Sequence, residues 1–492
     1  MRIWSLGERR EGGELEKGGE LLYTVNNKGE FLLYYFNIFM EKGGGSVMEK
    51  KVSRREFLKY SGIAGAAAMS GPLLVGLSRG PFSKALAAKP PIKIGGIYSL
   101  SGVVAAWGAA AQQGSRMAAS EINDAGGVLG RKIELRFEDD TVNSEVGVRK
   151  ARRLVLDWGA DFLHGFNSSG VALAVAPSLP KLQRMLLIPC AASPRITTEA
   201  FNKYVFRVHP NCYQIGAGAA AIAAKMPHKK WTVIGPDYSY GWDSWGAFIT
   251  HLTHRRSDVE SMDVQAWPKF ATGDYSSYVL KLIAAKPDAV YSSLWGGDFV
   301  TFCKQAKRYG FFDKVGAFMT PAGLALDSFS ALAVKKGTMS EMPEGIHTAA
   351  HGYWFQHPGT DRNKAWVEKF EGFWGQPPHI VAHDAYGLIY AYKKAIEKAG
   401  TTETDAVIEA MEGMAFETPG YDRVIRKEDH QAISDVPWGV TQKDPALAGF
   451  CGAMGVAKIS DSVGTEVMEP IEDVLKRRAE KGTPPWMAFI KK

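Results

Sequence analysis

The sequence predicts an α/β protein of two doubly wound, Rossmann-like lobes. From Pro91 onward, short aliphatic or β-branched runs alternate with helical patterns, which favours a parallel sheet covered by helices on both faces. This alternation starts a second time after "YVFRVHPN". The chain has 492 residues, which is too long for one hydrophobic core and sufficient for two lobes of ordinary domain size.

The first round of alternation begins with the predicted strand "IKIGGIYSL". The strands "KIELRFEDD", "ADFLHGF" and "RMLLIPCA" follow, with helices from about Ala109 to Asn123, around Val146 to Trp158 and near Leu173 to Leu182. The first helix should end at Gly126 and Gly127, because glycine readily adopts the left-handed conformation that follows a helix C-terminus.

The second round begins with "KWTVIGPD" and continues to "VGAFMTPA". Between them we predict helices from about Trp242 to Leu252, Tyr275 to Ala285 and Phe299 to Tyr309, with strands near Val264 and at "DAVYSSLW". Farther on, Pro377 and Pro378 separate two amphipathic helices, the second with an aromatic and aliphatic stripe typical of a core face.

Ligands of doubly wound sheets bind at the carboxyl ends of the strands. The loops concerned are those that follow Ile97, Phe166, Ile188, Ile234, Leu294 and Met319. Trp107, Tyr240, Trp242 and Trp295 fall in these loops and together favour a hydrophobic site for a flat or apolar ligand.

The stretch "VSRREFLKYSGIAGAAAMSG" has the composition of an export signal. Arg54 and Arg55 precede a weakly apolar region, and "ALAA" at 85–88 suits a signal peptidase that cleaves after Ala87. The string resembles a twin-arginine signal, which implies export by the twin-arginine machinery. An uncleaved membrane anchor is the alternative, but the glycines and Pro72 make a poor membrane span.

Residues 1–47 precede this signal, although a signal of this kind should begin near the N-terminus. Their apolar run "FLLYYFNIFM" is too short to span a bilayer. We therefore predict that the natural start is Met48, that residues 1–47 are a misassigned or disordered extension, and that residues 48–87 are the signal peptide. N-terminal sequencing of the unprocessed precursor tests this.

The composition excludes several function classes. Loss of residues 1–87 would remove 13 of the 59 Lys+Arg and 9 of the 52 Asp+Glu, so the net charge would fall from +7 to +3, which does not suggest a nucleic-acid partner. The four cysteines form no C-x-x-C pair, and their spacing cannot choose a disulfide pairing. Phosphate-loop and G-x-S-x-G motifs do not occur.

The remaining candidate motifs have simpler explanations. His379 and His383 lie four residues apart, yet they lack the glutamate of a zinc motif and favour a structural role. Asp139 and Asp140 end a strand, where carboxylates often cap the next loop. "GAGAAA" at 216–221 favours close helix packing over a dinucleotide site. We thus predict no catalytic residues, no metal and no cofactor.

Several segments together resemble a known family: "KIGGIYSLSGVVAAWGAAAQQGSRMAASEINDAGGVLGRKIELRFEDD", "MLLIPCAASPRIT", "DYSYGWD" and "HDAYGLIYAYKKAIEKAG". The family is that of the periplasmic binding proteins of branched-chain amino acid type ABC importers. This resemblance implies a monomer of two lobes joined by three crossing strands. Lobe one would contain residues 88–208 and 347–433, and lobe two residues 209–346 and 434–492.

The resemblance also implies how the ligand is held. In "FNSSG", Ser168 or Ser169 would donate a hydroxyl to a carboxylate, and Ser101 belongs to the loop after the first strand. In "CAASP", Ala191 keeps the backbone contacts, but Ala192 stands where the family has a threonine hydroxyl. In "PAG", Ala322 stands where an ammonium-binding glutamate is expected. Either Asp298 replaces that acid, or the ligand has no amino group.

Three functions remain to compare. The first is capture of a small organic ligand, an amino acid or an aromatic or other carboxylate, for an ABC permease with a separate ATPase. The second is a ligand-sensing receptor of the same fold. The third is an enzyme, which the missing catalytic residues disfavour. We expect the first, in the periplasm.

Overall fold

The computed structural model describes residues 2–5, 20–25, 31–36, 47–52, 89–323, 325–333, 341–349, 353, 361–443, 455–462 and 464–492. The chain divides into two compact units, Met1–Leu86 and Ala87–Lys492. The arginine pair at 54 and 55, the predicted cleavage site and Cys451 lie outside the described residues. The twin-arginine signal therefore stays a prediction.

The first unit contains four strands that pair in chain order as an antiparallel sheet. They are β1 (Arg2–Ser5), β2 (Glu20–Val25), β3 (Phe31–Phe36) and β4 (Val47–Val52). The predicted start at Met48 falls within β4, opposite Tyr35. The assignment of residues 1–47 as an extension remains a prediction.

A five-stranded parallel sheet forms the centre of lobe one, in the order β6-β5-β7-β8-β9. Its strands are β5 (Ile92–Tyr98), β6 (Ile133–Asp139), β7 (Phe162–Gly165), β8 (Leu186–Ile188) and β9 (Val205–Arg207). Its helices are α1 (Ala105–Asp124), α2 (Ser144–Leu156), α3 (Ser169–Val175) and α4 (Leu179–Leu182).

A seven-stranded sheet forms the centre of lobe two, in the order β11-β10-β12-β13-β14-β18-β19. Its strands are β10 (Lys230–Ile234), β11 (Glu260–Ser261), β12 (Ala289–Ser292), β13 (Ala317–Thr320), β14 (His347–Ala349), β18 (Val436–Gln442) and β19 (Gly455–Ser462). The first five in this order are parallel, whereas β18 and β19 pair antiparallel.

The helices of the second round accompany this sheet. They are α5 (Cys212–Ala223), α6 (Ser239–Arg255), α7 (Ser276–Ala285), α8 (Gly296–Arg308), α9 (Phe311–Lys314) and α10 (Leu326–Ala333). The later helices are α11 (Asp361–Trp374), α12 (Ile380–Ala399), α13 (Thr404–Met411) and α14 (Ile471–Glu480). A small sheet of β15 (Ala415–Glu417), β16 (Asp422–Ile425) and β17 (Ala432–Ile433) precedes β18.

The predicted α/β fold of two doubly wound lobes is confirmed, with two local differences. The predicted helix near Leu173 to Leu182 is divided into α3 and α4, because Pro177 and Pro180 lack the N–H that an uninterrupted helix requires. His347–Ala349 pairs with β13 and β18, so these three residues belong to the sheet of lobe two and not to lobe one, as the predicted boundary at residue 347 had it. The other predicted boundaries remain predictions.

Three features interpreted from sequence have the expected local roles. Gly126 and Gly127 follow α1 with φ of 103° and 78°. Asp139 and Asp140 accept hydrogen bonds from the loop N–H groups of Thr141 and Val142. Gly216 lies in α5, and a side chain there would come within 2.8 Å of the backbone of α6, so close helix packing explains this glycine.

The buried hydrophobic residues form one cluster in each lobe and a third that contains residues of both. The third joins Trp107 of α1 to Trp295 and Phe299 at the start of α8. The two lobes are therefore in contact. In the described part of the chain, the helices are too short or too polar to cross a membrane.

Candidate functional site

A small cavity lies between the lobes, beside the carboxyl ends of the strands. Four of the residues predicted from sequence line it: Trp107 and Ala192 from lobe one, and Tyr240 and Trp295 from lobe two. The structure thus brings these four together, as expected for loops that meet at the carboxyl ends of two sheets. Their contact with a ligand remains a prediction.

Three further residues line the cavity and were not predicted: Asn167, Cys190 and Tyr238. Each stands one or two positions from a predicted residue, on the loops after β7, β8 and β10. The sequence indicates such loops. It does not show which of several adjacent side chains points inward, since this depends on the local turn.

Aromatic rings form most of the cavity wall. The rings of Trp107 and Trp295 meet edge to face, with centroids 5.0 Å apart and an interplanar angle of 76°. Trp295 Nε1 donates to Tyr238 Oη (3.1 Å), which fixes the indole ring. The Tyr238 and Tyr240 centroids are 6.2 Å apart. This wall offers flat apolar surface, which suits an aromatic or extended hydrocarbon group.

The seven described residues that line the cavity carry no formal charge at neutral pH. Burial raises the pKa of the Cys190 thiol and of the Tyr238 and Tyr240 hydroxyls, so each keeps its proton. Asn167 Oδ1 accepts from the backbone N–H of Ser99 (3.3 Å). The amide of Asn167 and the hydroxyl of Tyr238 can therefore donate hydrogen bonds at the cavity.

The remaining predicted residues do not line this cavity. Ser101 is exposed, and Ala191 donates its N–H to Phe166 O (2.9 Å). Ser168 and Ser169 are buried at the start of α3, where Ser169 Oγ accepts from Ser193 N (3.1 Å).

Asp298 and Ala322 are also turned to other partners. Asp298 Oδ2 accepts from Ala271 N (2.8 Å), and burial raises the pKa of its carboxyl group. Ala322 is fully buried and donates its N–H to Thr320 Oγ1 (3.4 Å). Asp298 is not among the described residues that line the cavity, and its role as a substitute acid stays a prediction.

The comparisons with known proteins explain this arrangement. Residues 91–444 match the model of a family described as periplasmic binding protein. This chain belongs to the periplasmic binding protein family. Membership implies a location outside the cytoplasm and capture of a small molecule for an ABC transporter.

Relatives of this binding protein differ in the ligands that their names print. The leucine-, isoleucine-, valine-, threonine- and alanine-binding protein of Pseudomonas aeruginosa is 26% identical over 333 residues, which cover 67% of this chain and 84% of the relative.

Two solute-binding proteins of Rhodopseudomonas palustris were solved with aromatic acids. The complex with 3,4-dihydroxybenzoic acid has a TM-score of 0.66 and 24% sequence identity, and the alignment covers 76% of this chain and 98% of the chain in that structure. The benzoate complex has a TM-score of 0.65 and 20% identity, with coverage of 75% and 96%. These similarities show the type I fold.

The lobes of this binding protein contact each other at the mouth of the cavity. Trp107 Nε1 of lobe one donates to Asp327 Oδ2 of α10 (3.1 Å). His379 Nε2 lies 3.3 Å from Asp327 Oδ1, while its Nδ1 accepts from Val381 N and so begins α12. Among the residues described, no cluster of His, Cys, Asp and Glu side chains suits a metal ion. His379 therefore contacts Asp327 and caps the first turn of α12.

A buried polar network lies where the chain first crosses between the lobes. Asp384 Oδ2 is 2.6 Å from His209 Nδ1, and Asp384 Oδ1 is 2.8 Å from both His383 Nδ1 and Arg423 Nη2. Arg423 Nη1 also donates to Val208 O (2.6 Å). The network connects α12 and β16 to the crossing segment 208–211, and it was not visible in the sequence.

Proposed function

We propose that this binding protein captures an organic acid with an aromatic or extended apolar body and delivers it to an ABC permease with a separate ATPase. The observation that carries the proposal is the cavity wall, whose described residues combine aromatic rings with hydrogen-bond donors and include no charged side chain. A carboxylate accepts hydrogen bonds only and is well matched to such donors.

An amino acid ligand fits this cavity less well. Its ammonium group would need a carboxylate, and an unpaired ammonium in a closed cleft costs several kcal/mol. By the family resemblance, Ala322 stands where the acid is expected. The alternative acid, Asp298, is already bonded to Ala271 N. Of the two possibilities left by the sequence, these contacts favour a ligand without an amino group.

The related fold can accommodate such ligands, since the two Rhodopseudomonas palustris proteins hold benzoic acids. Binding alone accounts for the arrangement, and we propose that this chain performs no catalysis. It would act as a monomer, with both lobes available to the permease after closure.

A thermal-shift screen tests the ligand class. Benzoate, hydroxybenzoates and extended aliphatic acids should raise the melting temperature in a concentration-dependent way, because a ligand that binds only the folded state stabilises it. Leucine, isoleucine and valine should give little or no shift. Micromolar leucine binding that survives Asp298→Asn would contradict the proposal.

We propose, in addition, that export follows the twin-arginine route. Replacement of both Arg54 and Arg55 by lysine should leave the precursor in the cytoplasm, because the export machinery reads the arginine pair. Cell fractionation and immunoblotting measure the distribution. The proposed route is contradicted if the periplasmic yield is unchanged in a strain that lacks other export pathways.

A further inference from the structure

Asn167 has a side-chain amide donor for which the described residues supply only a weak acceptor, the thiol of Cys190. Its side chain follows β7, is 5% exposed and lines the cavity. Oδ1 accepts from Ser99 N, and since a backbone N–H can only donate, this contact fixes which end of the amide is oxygen. Nδ2 is buried and, apart from the weakly accepting thiol of Cys190 beside it, has no hydrogen-bond partner within the described ranges of the chain. Buried donors without a partner are uncommon, and a bound ligand would satisfy this one.

Tyr238 offers a second donor from the opposite lobe. Its hydroxyl accepts from Trp295 Nε1–H (3.1 Å), and an indole nitrogen can only donate. The phenolic proton is therefore free for another acceptor, and the described contacts include none for it. Burial keeps the pKa of this hydroxyl above its usual value, so the group stays protonated.

We infer that Asn167 Nδ2 and the Tyr238 hydroxyl are a donor pair, one from each lobe, that binds the oxygen atoms of the ligand's carboxylate. This inference rests on the proposed function and adds the residues that select for an acid. Two neutral donors satisfy carboxylate oxygens, whereas an ammonium group would find no countercharge among the described residues that line the cavity. Because the donors belong to different lobes, the acid completes both contacts only when the lobes meet.

Two substitutions test the pair with benzoate as the probe. Asn167→Asp keeps the size of the side chain and the oxygen that accepts from Ser99 N, but it replaces the donor NH2 group with a second oxygen. Tyr238→Phe removes the hydroxyl and keeps the ring. Each should weaken benzoate binding, measured by calorimetry, by about tenfold or more, the usual cost of losing a hydrogen bond to a charged group. Tyr309→Phe, an exposed tyrosine outside the cavity, should leave the affinity unchanged.

Benzamide separates a direct contact from distant charge repulsion. The aspartate of Asn167→Asp can accept from the benzamide NH2 group, so this variant should lose much less affinity for benzamide than for benzoate. Equal losses for both compounds would contradict contact at this position. Melting temperatures without ligand check that both variants fold.

The outcomes distinguish the two proposals. Wild-type binding of benzoate that persists in both variants overturns the donor pair and leaves the proposed function standing. A wild-type protein that binds none of the organic acids in the screen contradicts the proposed function itself.

Discussion

Replacement of Asp384 by asparagine should lower the free energy of unfolding by about 3–5 kcal/mol, the usual effect of removing one partner from a buried ion pair. Asp384 and Arg423 are both fully buried, and their atoms Oδ1 and Nη2 are 2.8 Å apart. The substitution leaves the guanidinium without a countercharge and removes an acceptor from His209 or His383. Urea denaturation measures the loss.

A matched control is Asp405→Asn. Asp405 Oδ1 accepts from Lys203 Nζ at the same distance, 2.8 Å, but both side chains are more than half exposed. Such pairs contribute about 0–1 kcal/mol, so this variant should unfold at nearly the same urea concentration as the wild type. Equal losses for the two variants would show that burial does not determine the contribution of Asp384.

The difference in stability between the wild type and Asp384→Asn should depend on pH, because the fold shifts the pKa of Asp384. Burial alone would raise the pKa of Asp384, but Arg423 and both histidines hold it well below its ordinary value. The resulting stabilisation is present above the unfolded pKa of about 3.9 and is lost as the pH falls below it. The difference between wild type and Asp384→Asn should thus be constant from pH 8 to about pH 5 and shrink in more acidic solution.

His383 contributes a separate pH effect over a different pH range. Burial lowers the pKa of His383 to about 4. Because an unfolded histidine takes up a proton near pH 6.5, the folded state should lose stability as the pH falls from about 6.5 towards 4. Both proteins should show this loss, since Asp384→Asn does not make the imidazole easier to protonate.

The sequence predicted the two sheets because hydrophobic alternation is a local property. The strand "IKIGGIYSL" and the helices on either side of Pro377 and Pro378 depend on side chains close together in the chain, and the structure has them near the expected positions. The same local pattern placed Trp107, Tyr240 and Trp295 after strands of the two sheets. The structure has the first two in the first turns of α1 and α6 and the third at the N-cap of α8, and all three line one cavity.

Side-chain direction within these loops was not predictable. In "FNSSG", Asn167 lines the cavity, whereas Ser169 turns to Ser193 N, and only the turn after β7 distinguishes them. Asp298 is in the first turn of α8, and its carboxylate binds the N–H of Ala271, a residue distant in sequence. The Asp384 network likewise joins residues from separate elements, so its members could not be recognised from spacing.

Asp243 connects the lobes beside the cavity. Its carboxylate accepts from Ser193 Oγ (2.5 Å) and from Arg195 Nε (3.0 Å) and Nη2 (2.8 Å), all on the loop after β8. Trp486 Nε1 of lobe two donates to the same carboxylate (3.0 Å). Asp243 is fully buried, so its contacts with lobe one are shielded from water. They contribute to the contact between the lobes.

We expect Asp243→Asn to shift the protein towards an open arrangement and to weaken binding of an organic acid by about 2–5 kcal/mol, the usual cost of breaking a buried, hydrogen-bonded charge pair across an interface. Asparagine offers one acceptor oxygen to donors that share two carboxylate oxygens in the wild type, and it does not neutralise the charge of Arg195. Small-angle scattering should show a larger radius of gyration for the variant at equal acid concentration, because lobe closure makes the molecule more compact.

Asp258→Asn is the control, since Asp258 pairs with Arg256 (2.8 Å) within lobe two and does not contact lobe one in the described contacts. If Asp243→Asn and Asp258→Asn match the wild type in both affinity and scattering, the contacts of Asp243 do not stabilise closure.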